Sequence, residues 1–77
     1  MNAIPHWPEI EQDLLRDARQ LVAVMRMSQV EYAEGKVVVR CSGEVFRSWL
    51  RRPTLRAVLQ QSLERHLGAG TQLIVAT

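Results

Sequence analysis

The hydrophobic pattern of this 77-residue chain predicts a small two-layer α/β domain, a three-stranded sheet with helices packed on one face. Three observations predict it. Apolar residues recur every three or four positions from Trp7 to Met25. The period then shortens to two around a glycine-bearing turn between Gln29 and Cys41. A second helical stripe follows and ends at Gly68, before a short apolar run, Gln72-Leu73-Ile74-Val75. The expected order is helix or helices, strand, strand, long helix, strand.

The first helical segment starts with Pro8, which suits a position whose N–H has no intrahelical partner. Glu9, Glu11 and Asp13 place negative charge near the positive end of the helix dipole. Trp7, Ile10, Leu14, Ala18, Leu21 and Met25 make one apolar face. Residues 8–27 fit one helix or two with a bend near Arg19-Gln20, since no Gly or Pro marks a boundary. Glu9, Asp13 and Asp17, interleaved with Arg16 and Arg19, read as a solvated face.

Val30 and Tyr32 face one way and Gln29 and Glu31 the other; Ala33-Glu34-Gly35-Lys36 supplies a turn, and Val37-Val38-Val39 is β-branched. This is an antiparallel hairpin. Ser42-Gly43-Glu44 opens the next helix, with Val45, Phe46, Trp49 and Leu50 as its apolar edge. Pro53 kinks or restarts that helix, because it has no N–H for the carbonyl of Trp49. Leu55, Val58, Leu59, Ser62, Leu63 and Leu67 continue the stripe, and Gly68 is expected to cap it in the left-handed conformation. The second and third strands pair in parallel if they are neighbours; strand order stays open.

Length and composition exclude several classes. At 47% hydrophobic and 23% charged, the chain suits one core and is not a disordered segment. Residues 1–77 are expected to form a single interaction domain, with 1–6 a flexible lead-in. No apolar run approaches the ~18 residues of a membrane helix. The start has neither a basic nor an apolar secretory region. The single cysteine cannot form an internal disulfide, so a reducing cytoplasm is expected. The net charge of +2 divides unevenly, −3 over residues 1–35 and +5 over 36–77. Such an asymmetry steers partners through its field.

Catalytic chemistry has little support. Cys41 sits alone in an apolar strand, and His6 and His66 have no metal-ligand spacing with it or with each other. No glycine-rich phosphate loop follows a strand. The chain is therefore expected to act without catalysis, cofactor or metal. Arg47, Arg51, Arg52 and Arg56 are the candidate partner-binding residues, either a cationic ridge for an acidic protein surface or phosphates, or simply a helix's solvated face. Trp7 joins them as an interface anchor or a core residue. Trp49, beside Phe46, reads as core. Nucleic-acid binding is the rival class, but the glycine pair of Gly68-Ala69-Gly70 lacks the GXXG spacing of nucleic-acid-binding K-homology loops.

Read together, Trp7, the stretch Leu21 to Met25 before Val30-Glu31-Tyr32, Gly35-Lys36-Val37-Val38-Val39, Phe46-Arg47-Ser48-Trp49-Leu50 and Leu63-Glu64-Arg65-His66-Leu67-Gly68 resemble a group of bacterial replication modules. The chain is similar to the C-terminal domain of the clamp-loader tau subunit of DNA polymerase III (DnaX) and, slightly less, to the N-terminal domain of the initiator DnaA. Both resemblances imply a K-homology-like (KH-like) fold. Leu50-Arg51-Arg52-Pro53, followed by Leu55, Val58, Leu59 and Leu63, favours tau, as does Val24 where the initiator commonly has an aromatic. Trp49 suits the initiator, and Trp7-Pro8-Glu9 is similar to the start of the helicase-loading protein DciA. Resemblance to tau implies an excised domain that tethers the polymerase α subunit and has no catalysis of its own. Resemblance to the initiator implies self-association and recruitment of the replicative helicase.

Overall fold

The computed structural model describes residues 4–76. In chain order the elements are α1 (Trp7–Asp17), α2 (Gln20–Met27), β1 (Gln29–Ala33), β2 (Lys36–Arg40), α3 (Glu44–Arg51), α4 (Pro53–Leu67) and β3 (Gln72–Ala76). The fold class is the one the sequence predicts: four helices and a three-stranded sheet. The strand order is β1-β2-β3, with β1 antiparallel and β3 parallel to β2.

The stretch 8–27 resolves into two helices. Ala18 stands between them at φ −161°, ψ 80°, and its N–H still bonds the carbonyl of Leu14. The reason is packing. In a straight helix through Ile10, Leu14, Ala18, Leu21 and Met25, Val22 and Val24 fall at the two margins of the apolar face, about 80° from its centre. After the break, α2 buries Leu21, Val22, Val24 and Met25 together. The first helix starts one residue before Pro8, and Glu9 lies in its first turn.

The sheet has one covered and one open face. Residues facing the helices form two rows across the strands, Val30–Val39–Val75 and Tyr32–Val37–Leu73. Val30, Val37, Val39 and Leu73 are buried, and Tyr32 and Val75 pack against them. The opposite face carries Glu31, Val38 and Ile74 as its middle row, flanked by Gln29, Arg40 and Ala76 and by Ala33, Lys36 and Gln72. Ile10, Leu14, Leu21, Met25, Leu50, Leu59 and Leu63 fill the space between helices and sheet with no exposed surface. Cys41 is buried among them, as expected of a small hydrophobe. Of the lead-in expected to be flexible, residues 1–3 lie outside the described residues, and Ile4 is inserted into the core.

Of the two outcomes expected at Pro53, a kink or a restart, the structure has the restart. Arg52 is extended at φ −69°, ψ 125°, the conformation a following proline imposes, and α4 begins afresh at Pro53. Gly68 does close α4, but at φ 115°, ψ 149° rather than in the left-handed helical region. Only glycine adopts that conformation readily. The hairpin loop is the pair Glu34 (φ 53°) and Gly35 (φ 74°), both left-handed, as a two-residue turn with the strands' own twist requires.

Local chemistry predicts the effect of three substitutions on stability. Glu34 occupies a position better suited to asparagine, so Glu34→Asn should stabilise the fold by about 0.5–1 kcal/mol, and Gly35→Ala should cost about 1–2 kcal/mol. The Ser28 hydroxyl, buried after α2, has no hydrogen-bond partner among the described residues. Ser28→Ala should therefore stabilise by about 1 kcal/mol. Denaturant midpoints at unchanged m-value measure all three changes.

Candidate partner-binding surface

The apolar positions of α3 are 45, 46, 49 and 50, and the fold covers them unequally. Leu50 is fully buried. Phe46 and Trp49 pack partly against the core, with ring centroids 5.7 Å apart and planes tilted by 45°. Val45 is 62% exposed. Val45 and Trp49 are one turn apart on one helix face. Thus α3 presents an apolar strip that the rest of the chain leaves half-open.

The four arginines expected to form one ridge have different roles. Arg47 is half-buried and holds the Glu44 carboxylate at 3.1 Å. Arg51, exposed, approaches the same carboxylate at 3.6 Å. The Glu44 carboxyl is held below its ordinary value chiefly by the Arg47 hydrogen bond. Arg52 is exposed at the joint between α3 and α4 and makes no ion pair among the described residues. Arg56 donates from Nη2 to the carbonyl oxygen of Leu73 at 2.7 Å, which ties α4 to β3. Arg52, just past the C-terminal end of the α3 strip, is therefore the one of the four whose side chain is left without an ion pair or carbonyl among the described residues, while Arg51, two residues after Trp49, lies on the other side of α3 with Glu44. Trp7, the other candidate, begins α1 and is half-buried against the core.

The densest polar cluster lies between α1 and α4, and sequence reading placed its centre wrongly on a solvated face. Asp13 is only 8% exposed. Its Oδ2 accepts from Ser62 Oγ at 2.8 Å and from Arg65 Nη1 at 2.9 Å, and lies 3.0 Å from His66 Nε2. Arg16 approaches Oδ1 at 3.5 Å. Burial pushes the Asp13 carboxyl up. The hydrogen bonds from Ser62 and His66 and the charges of Arg65 and His66 together outweigh burial and hold it below its ordinary value. The Ser62 proton is directed at the carboxylate, so the cluster serves as a clasp that ties α1 to α4. A signal existed: Asp13 falls three residues after Ile10 and one before Leu14, within the buried stripe, and Ser62 sits inside the stripe of α4.

Among the described residues, no group of three or more His, Cys, Asp or Glu side chains is placed to hold a metal ion. No helix of the described residues is long and apolar enough to cross a membrane. Comparison with protein-family models finds no match to the chain, and comparisons with curated proteins and with solved structures find none either.

The clasp makes stability depend on pH with a definite sign. A carboxyl whose folded-state pKa is depressed stabilises above its unfolded value, ~3.9, and loses that contribution as pH falls through the folded value. Unfolding free energy should therefore drop below about pH 4, and less so in Asp13→Asn. At neutral pH, Asp13→Ala strands a buried hydroxyl and should cost about 2–3 kcal/mol. The exposed pairs Arg16–Asp17 and Arg47–Glu44 should add little. Urea titrations from pH 3 to pH 7 check the pattern, as a prediction from the linkage sign.

Proposed function

We propose that this domain is a non-catalytic protein-docking module of the bacterial replication machinery, resembling the tau domain that tethers the polymerase α subunit, and working in the cytoplasm. The observation that carries this reading is the half-open strip of α3, with Val45 exposed one turn from Trp49 and the exposed Arg52 just past the strip's C-terminal end. A small interface needs an apolar centre that the partner desolvates and a polar rim; Val45 with the open side of Trp49 offers the first and Arg52 the second. The order of helices and strands, which follows the order expected from the sequence, is in keeping with the same reading.

The mechanism is docking without chemistry. A partner with an acidic surface is drawn by the positive second half of the chain, and association is faster at low salt. Burial of Val45 and the open side of Trp49 then slows dissociation. The rigid core beneath limits the ordering cost, since Phe46 and Leu50 are already packed.

Titration calorimetry against the polymerase α subunit tests the assignment. Val45→Asp should weaken binding by about tenfold or more, a loss of 1.4 kcal/mol or more. Arg51→Glu combined with Arg52→Glu should act mainly on the association rate and flatten its salt dependence. Trp7→Ala should leave the affinity nearly unchanged. Binding of the replicative helicase without the polymerase subunit transfers the reading to an initiator-like module, and binding of neither rejects the replication assignment.

A further inference from the structure

Of the three strands, β3 alone carries no charged side chain; β1 has Glu31, and β2 has Lys36 and Arg40. Edge strands without charge are prone to pair with another strand. The Gln72 N–H donates to the carbonyl of Gly35 at 2.8 Å, so the backbone groups of Gln72 face β2. Backbone groups alternate in direction along a strand. Those of Thr71, Leu73 and Val75 therefore face outward, along the free edge of the sheet.

Helix α4 closes part of this edge. Arg56 Nη2 donates to the Leu73 carbonyl at 2.7 Å, and one turn later Gln60 Nε2 donates to the Thr71 carbonyl at 2.6 Å. Four helical residues advance about 6 Å, and two strand residues about 6.6 Å, so the two side chains keep step with alternate carbonyls. The next position in this ladder is Arg52. It lies outside α4 in extended backbone, and among the described residues no side chain reaches the Val75 carbonyl.

We propose that the outer edge of β3 is a strand-addition site for a second copy of this chain, gated by Arg56. Two β3 strands related by a two-fold axis at Ile74 run antiparallel. Leu73 of each then lies opposite Val75 of the other, and each such pair exchanges two N–H···O=C bonds. The axis brings together the two Ile74 side chains, each 38% exposed in the single chain. Val38 lies beside Ile74 on the open face, so the apolar row continues across the junction. The strand is thus its own complement in backbone register, in apolar contact and in freedom from like-charge repulsion. Pairing uses the Leu73 carbonyl that Arg56 occupies, so Arg56 must withdraw first.

Sedimentation over a wide concentration range tests this. Arg56→Met keeps the stem of the side chain and removes the donor; it should tighten dimerisation about tenfold or more over the unmodified chain, a gain of 1.4 kcal/mol or more. The Val75 amide should become slower to exchange in the dimer. In that background, Ile74→Lys and Ile74→Glu should each return the protein to monomer, and mixing the two should restore the dimer. The proposal is overturned if Arg56→Met keeps its circular dichroism yet stays monomeric at every concentration, or if its dimer ignores both changes at Ile74. If Arg56→Met does not fold, the same charge pair in the unmodified chain decides. Self-association lost in each variant and regained in the mixture supports the proposal, and any other pattern rejects it.

Discussion

The parallel pairing of β3 with β2 is the constraint from which most of this molecule follows. Parallel neighbours cannot be joined by a tight turn, so the chain must leave the sheet after Arg40 and cross over before Gln72. That crossover is α3 and α4. It brings Leu55, Leu59 and Leu63 into the same core as the buried valines of the sheet. It also sets what each helix can offer to its neighbours. The last turns of α4 meet α1, its first turns meet the edge of β3, and α3 is left on the flank with part of its apolar surface uncovered.

The contact between α1 and α4 shows how a small domain handles a buried charge. An isolated carboxylate at the position of Asp13 would be costly. Three side chains from one helix, Ser62, Arg65 and His66, converge on its Oδ2 and offset that cost. The clasp joins residues 49 to 53 positions apart in sequence. It therefore adds geometric specificity where the leucine packing alone would tolerate sliding of one helix along the other. Ion pairs at the surface, such as Arg26 with Glu11, add a weaker tie between α1 and α2.

The arginines show that residues close in sequence can serve different ends. Arg47 and Arg51 share Glu44, Arg52 stands apart at the break before Pro53, and Arg56 holds a strand carbonyl. The break at Pro53 causes the division. With the helix interrupted, the side chains before and after it need not lie along one face. Any partner meeting this flank therefore encounters an apolar strip with charge at one end rather than a continuous cationic ridge.

The pattern of apolar residues by itself determined the class of the domain, the hairpin with its turn at Glu34-Gly35, the helical interruption at Pro53 and most of the core. These are local matters, set by periodicity, proline and glycine within a few residues of one another. Only the tertiary structure decided the break at Ala18, the order β1-β2-β3, the burial of Asp13 and the separate engagements of the four arginines. No local signal marks Ala18, because the helix ends there to let α2 bury Val22 and Val24 against elements distant in sequence. Asp13 and Arg56 are equally ambiguous when read alone, since a polar side chain is solvated or engaged according to which distant donor or carbonyl the fold brings beside it.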